Sequence, residues 1–284
     1  MKKFYNLAIL LMAFVFAGCS DSQNNPDLNN PDLKRTKAFS VSKHKKILFS
    51  NGNLQYHPLN NEWRFAESQL ERMKEVPEDS LSATYDGWID LFCWGTGNCP
   101  TKVSTDIFSP DTAFVNFVDW GINQIGNDKP NTWRTLTNEE WNYLTDGKEG
   151  RKNADSLCSV AQIDGMNGFI LLPDNWTCPS DVSFKRGVAV GHSEEDYAEH
   201  QIITLENWLV LEESGAIFLP VTEDNMYSYV NENSEGYYWS STLKGKYSPH
   251  VYAYYFEFDA SYAGCGMFNS TSKRGFVRLV QDVK

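Results

Sequence analysis

The stretch Thr132-Trp133-Arg134-Thr135-Leu136-Thr137-Asn138-Glu139-Glu140-Trp141-Asn142-Tyr143-Leu144 decides how the rest of the chain is read. Thr137 followed three residues later by Glu140 has the spacing of a capping box. Each side chain then satisfies one orphan amide of a helix's first turn. Glu139 and Glu140 lie where the positive end of the helix dipole favours negative charge. Trp141 and Leu144, three apart, give the helix one large apolar face, and Gly147 offers a stop. A short amphipathic helix packed on a sheet follows from these residues alone.

On either side the pattern changes from helical to alternating. Phe39, Val41 and Ile47-Leu48-Phe49 flank the basic turn Lys43-His44-Lys45-Lys46 and read as a hairpin, followed by an Asn51-Gly52 turn signal. Leu54-Gln55-Tyr56 and Trp63-Arg64-Phe65 bracket Asn60-Asn61 as a second strand pair. Residues 66–73 are charged and helical in composition. Residues 85–94 are dense in aromatics, and with Gly87 and Gly95 they predict a buried irregular loop. Phe169-Ile170-Leu171-Leu172-Pro173 is a short buried strand. Residues 205–213 form a second helix with Leu205, Trp208, Leu209 and Leu211 on its apolar face. Gly215 ends it, and Ile217-Phe218-Leu219-Pro220 follows as a strand. Tyr252, Tyr254, Phe256 and Phe258 alternate with Ala253, Tyr255 and Glu257 along a long strand. Residues 277–280 complete the sheet. Residues 96–131 and 174–203 are long and irregular, the kind of loop that carries function. Together these elements predict an α+β domain: a mixed sheet, two short helices and long irregular loops.

The N-terminus is organised differently. Lys2 and Lys3 precede an apolar run over residues 4–17, closed by Ala17-Gly18-Cys19. Such a run is a secretory signal, shorter than the roughly 20 apolar residues that span a bilayer. It resembles a lipoprotein signal (residues 1–18) with Cys19 as the lipidated first residue, so acyl chains would hold the protein to a membrane. Residues 19–37 then form a tether. Asn24-Asn25-Pro26-Asp27-Leu28 repeats at once as Asn29-Asn30-Pro31-Asp32-Leu33, polar and proline-punctuated. Residues 38–284 contain no second linker and read as one domain.

The formal net charge is −12, from 25 basic and 37 acidic residues. Loss of the signal removes Lys2 and Lys3 and takes the charge to about −14. That balance argues against nucleic acid or a bare anionic lipid surface as partner.

The helix stretch also resembles a family motif. Arg134, Thr137, Glu140, Trp141 and Tyr143 match the Arg-Leu-Pro-Thr-x-x-Glu-Trp-x-x-Ala run of formylglycine-generating-enzyme-like (sulfatase-modifying factor) domains, with Thr135-Leu136 where that family has Leu-Pro. Tyr237-Tyr238-Trp239-Ser240-Ser241-Thr242 and Gly275-Phe276-Val277-Arg278-Leu279-Val280 resemble the closing strands of the related Fib-succ-major paralogous domains. The resemblance covers about residues 38–281. It implies a C-type-lectin-like fold whose first and last strands pair.

The same resemblance raises an enzymatic reading, which the residues do not support. Formylglycine-generating enzymes bind copper through two closely spaced cysteines. The corresponding run Ala263-Gly264-Cys265-Gly266-Met267 has one, and paired soft thiolates are what Cu(I) selects. His192 and His200 bracket four carboxylates, but Ser193 followed by acids is a helix N-cap and first turn that needs no metal. Calcium motifs of lectins are absent; Pro173-Asp174-Asn175-Trp176 only scrambles their letters. Asp86 and Asp90 as a glycosidase pair are set aside in so acidic a chain. No nucleophile elbow, phosphate loop or zinc motif occurs. No catalytic residue, metal or cofactor is therefore assigned. Export permits disulfides, and Cys93 with Cys99 or Cys158 with Cys178 are candidate pairs. With Cys265 the count is odd, and the pairing stays open.

Exposed aromatic residues give the remaining lead. Tyr227, Tyr229, Tyr237 and Tyr238 cluster about a polar acidic loop and are the candidate ligand-binding residues, suited to a sugar ring or a protein surface. The sequence thus predicts a lipid-anchored protein of the outer membrane or cell surface. Its domain would bind glycan or an envelope protein without catalysis. The alternatives are a structural or fimbria-associated surface component and, third, a metal oxidase.

Overall fold

The computed structural model describes residues 37–74, 76–103, 116–187, 197–222, 235–247 and 250–284. The signal, Cys19 and nearly all of the tether lie outside these residues. Among the described residues no helix is long and apolar enough to cross a membrane.

The fold is mixed α+β and mostly sheet. The first hairpin forms as the alternation predicts: β1 (Phe39–Ser40) pairs antiparallel with β2 (Lys46–Phe49), and β3 (Leu54–His57) pairs with β4 (Glu62–Phe65). The chain closes on its own start. The last strand, β16 (Leu279–Asp282), pairs antiparallel with β2, and its other edge takes β6 (Arg134–Thr135). It is therefore the second arm of the hairpin, not β1, that meets the closing strand.

The helix of the opening motif is α1 (Asn138–Thr145), and its capping box is present. Thr137 Oγ1 accepts from the Glu140 amide at 3.2 Å, and a Glu140 carboxylate oxygen accepts from the Thr137 amide at 3.0 Å. The same carboxylate takes a two-pronged fork from Arg134 at 2.6 and 2.8 Å and a third contact from Lys45 at 3.0 Å. Arg134 also reaches Asp282 at 2.7 Å. The motif thus clamps a helix start to the first hairpin and the last strand.

Two further helices are described: a single turn, α2 (Tyr197–His200), and α3 (Leu205–Glu213), capped by Thr204. The two helices expected are α1 and α3. The helix start expected at Ser193 lies outside the described residues, just ahead of α2.

Three apolar layers alternate with two sheets. One sheet runs β10 (Ile217–Pro220), β8 (Met166–Leu171), β7 (Cys158–Ile163) and β9 (Ile202–Ile203). The other runs β13 (Ala263–Gly264), β12 (His250–Phe258), β11 (Gly236–Tyr247), β15 (Arg274–Phe276) and β5 (Leu91–Cys93), with β14 (Phe268–Ser270) also on β12. Between the sheets lie Trp141, Leu144, Phe169, Tyr238, Phe256 and Phe258. Beyond β11 and β12 lie Trp63, Phe92, Trp94, Trp120, Tyr237, Trp239 and Tyr255. Beyond β8 and β10 lie Ile170, Phe218, and Trp208 and Leu211 of α3. Strand alternation sends neighbours to opposite layers, so both sheets are buried on two faces where these layers cover them. Each fully buried large side chain contributes roughly 1.5–3 kcal/mol.

Two local expectations fail. Residues 66–73 are irregular, with a bend and a turn over 67–70, and not helix. Gln69 is drawn into the core, where its carbonyl accepts from the Phe218 amide (2.9 Å) and from the buried Arg278 (2.5 Å) while its amide donates to Ala216 (3.2 Å). These long-range bonds override a modest helix propensity. Residues 85–94 are not wholly irregular: β5 pairs with β15 some 180 positions later, a partner no local pattern reveals.

Candidate functional site

The candidate ligand tyrosines do not form a surface. Tyr227 and Tyr229 lie outside the described residues. Tyr237 and Tyr238 are core residues, 2% and 0% exposed, which corrects their reading as solvent-facing. The Tyr237 hydroxyl donates to Glu235, and its ring meets Tyr255 edge-on at 5.4 Å. The Tyr238 hydroxyl donates to the Pro220 carbonyl at 3.0 Å and accepts from Asn53 at 3.3 Å. Both hydroxyls are satisfied internally because the first half of β11 is buried on both faces.

The hairpin does carry an exposed aromatic face, at its other end. Phe258, Phe256, Tyr254 and Tyr252 share one side of β12. Phe256 is covered by Trp141, stacked at 4.8 Å, and by Phe169 at 5.3 Å. Beyond α1 the cover stops, and Tyr254 and Tyr252 are half-buried. β14 extends the face, with Phe268 opposite Tyr254 and Ser270 opposite Tyr252. Phe268 meets Tyr252 edge-on at 5.6 Å and Tyr254 at 6.3 Å; Tyr247 meets Tyr252 at 5.9 Å, and the His250 ring lies 6.0 Å from it. Phe268 is 40% and Tyr247 56% exposed. In an edge-on pair the edge of one ring meets one face of the other, so that contact leaves each ring at least one flat, electron-rich face for a further partner.

Lys244 completes the group. Its ammonium donates to the Tyr254 hydroxyl at 2.8 Å and lies 5.0 and 5.2 Å from the Tyr254 and Phe268 rings. That geometry is a cation–π contact on both. The pairing of β11 with β12 slips between Leu243 and Gly245, and Gly245 adopts φ +150°. A side chain there would be strained, so glycine permits the irregularity that re-aims this end of the hairpin.

Other candidates are less developed. Lys74, Val76, Ile89, Asp90, Leu91 and Arg274 line a small depression of about 10 Å³, room for a single water at most. Asp90 is buried there and accepts from the Met73 amide at 2.7 Å; burial pushes its pKa up to about 7. Asp86, by contrast, is exposed and faces His57 at 3.5 Å. Among the described residues no three His, Cys, Asp or Glu side chains gather as a metal site. His192 and the carboxylates 194–196 lie outside the described residues. Cysteines 93, 99, 158, 178 and 265 form no disulfide, which corrects both candidate pairs. Three of the thiols point to carbonyls instead: Cys93 to Ser272, Cys158 to Asp155 and Cys178 to Val182. Burial pushes the Cys158 thiol up to about 12 and Cys265 higher still, so neither is a ready thiolate.

The chain matches no family model, no curated protein and no solved structure.

The sequence reading missed the aromatic face although one of its signals was visible. The alternation Tyr252, Tyr254, Phe256, Phe258 is correct, but nothing in it marks where α1 stops covering the row.

Proposed function

We propose that this chain is a lipid-anchored cell-envelope protein, tethered through Cys19, whose domain recognises glycan without catalysis. The observation that carries the reading is the exposed row Tyr247, Tyr252, Tyr254 and Phe268, continuous with the core and held on paired strands. A sugar ring presents C–H groups on one face and hydroxyls around its rim. The C–H face suits the negative face of an aromatic ring, and the hydroxyls suit Ser270 and the tyrosine tips. Rigid strands place such rings at low entropic cost. A C-type-lectin-like architecture is part of the proposal. It rests on the motif resemblances and is supported by the pairing of the closing strand with the opening hairpin.

The test is a glycan array probed with the full chain in detergent, beside a variant carrying Tyr252→Ala and Phe268→Ala. Binding that the double variant loses supports the reading. Binding that survives it, or no glycan binding by the parent chain, overturns it.

A further inference from the structure

The charge of the strands that build the aromatic face departs from that of the chain. Asp and Glu make up 37 of 284 residues, about one in eight. Yet none occurs between Glu235 and Glu257, or between Asp259 and Asp282. These two runs contain β11, most of β12, β14 and β15, and they carry Lys244, Lys246, Lys273 and Arg274. Lys244 lies over the Tyr254 and Phe268 rings, and Thr271, two residues before Lys273, is hydrogen-bonded through its amide to the Val251 carbonyl at 3.0 Å. On so acidic a protein, an aromatic face built from strands without carboxylates and with the Lys244 ammonium beside its rings is set apart electrostatically.

We infer that this face takes an acidic glycan: a saccharide whose rings stack on Tyr252, Tyr254 and Phe268 and whose carboxylate or sulfate groups meet Lys244. The inference rests on the glycan reading above and narrows it. The Lys244 hydrogen bond to Tyr254 leaves further ammonium protons to donate, since a lysine carries three. A charge-assisted bond to an anionic group is stronger than one to a sugar hydroxyl. A nucleic acid would also offer flat rings and negative charge, but a backbone with a phosphate at every residue meets the net charge of −12 at close range. A glycan with spaced charges suits one local cationic face better.

The experiment is titration of the full chain in detergent with glycans paired by backbone: carboxylated, sulfated, and neutral with the acid groups reduced or removed. A single-stranded oligonucleotide is included. At low salt the acidic member should bind about tenfold or more tightly than its neutral pair. The gap should close as salt is raised, and in Lys244→Gln the ratio of acidic to neutral affinity, measured within that variant, should fall towards one. Lys273→Gln should narrow it less. Preference for carboxylate or for sulfate supports the inference in either case and names the anion. Equal binding of charged and neutral pairs overturns it and leaves the glycan reading standing. No binding by any saccharide brings both down. An oligonucleotide that binds more tightly than every saccharide also overturns it.

Discussion

Trp141 lies flat on Phe256, ring centroids 4.8 Å apart and planes 9° from parallel. The next residue on that side of the strand, Tyr254, is only half-buried. One helix therefore closes the central layer and sets the line at which a core row of aromatics becomes a surface one. Trp141 is fully buried, so Trp141→Ala should cost about 3–5 kcal/mol, read as a lowered urea midpoint. A cost below about 1 kcal/mol would mean that α1 does not hold the layers together.

The cap above that tryptophan makes a pH-dependent contribution. Burial alone would raise the Glu140 pKa, but the Arg134 fork, the Thr137 amide and Lys45 outweigh it and hold the carboxyl below its ordinary value. A depressed folded value stabilises above the unfolded pKa of about 4.3, and the contribution is lost as pH falls through the folded value. Glu140→Gln should flatten the acid limb of stability and cost about 1–3 kcal/mol at neutral pH. Thr137→Ala should cost about 1 kcal/mol at every pH. An unchanged acid limb in Glu140→Gln would refute the assignment.

Asp90 acts with the opposite sign. Burial raises its pKa to about 7, and the Met73 amide bond only partly offsets this. The folded value lies above the unfolded one of about 3.9. Its favourable contribution is therefore complete below about pH 4 and lost as pH rises through 7. Asp90→Asn stays neutral and should gain on the order of 1–3 kcal/mol at pH 8 relative to pH 4. Glu257, raised to about 7 by burial and by Glu235, leaves a residual decline of the same sign. Urea unfolding across this range would show the flatter profile; a slope identical to the parent would contradict it.

Phe268 should separate binding from folding. At 40% exposure its ring contributes little to the core, so Phe268→Ala should shift stability by less than about 1 kcal/mol. Glycan affinity should fall about tenfold, or about 1.4 kcal/mol, by calorimetry. Loss of stability without loss of binding would make the ring a packing residue.

Local signals were legible where the partner was near in sequence. The capping box of Thr137 and Glu140, the two hairpins at 39–49 and 54–65, and α3 with Trp208 and Leu211 inward all depend on neighbours within a turn or a short loop. The failures share the opposite property. Gln69 was recruited by Phe218 and Arg278, and β5 by β15, across about 150 to 200 positions.

What the sequence alone determined is the class of the domain and the identity of its joints, because capping and strand alternation are set by residues a few positions apart. Which tyrosines meet solvent was decided only by tertiary structure. Tyr238 and Tyr252 carry the same side chain on paired strands of one sheet, yet one is wholly enclosed and the other half open. Enclosure depends on whether another layer lies above a residue, and here those layers come from Trp141 and Phe169, far away in the chain.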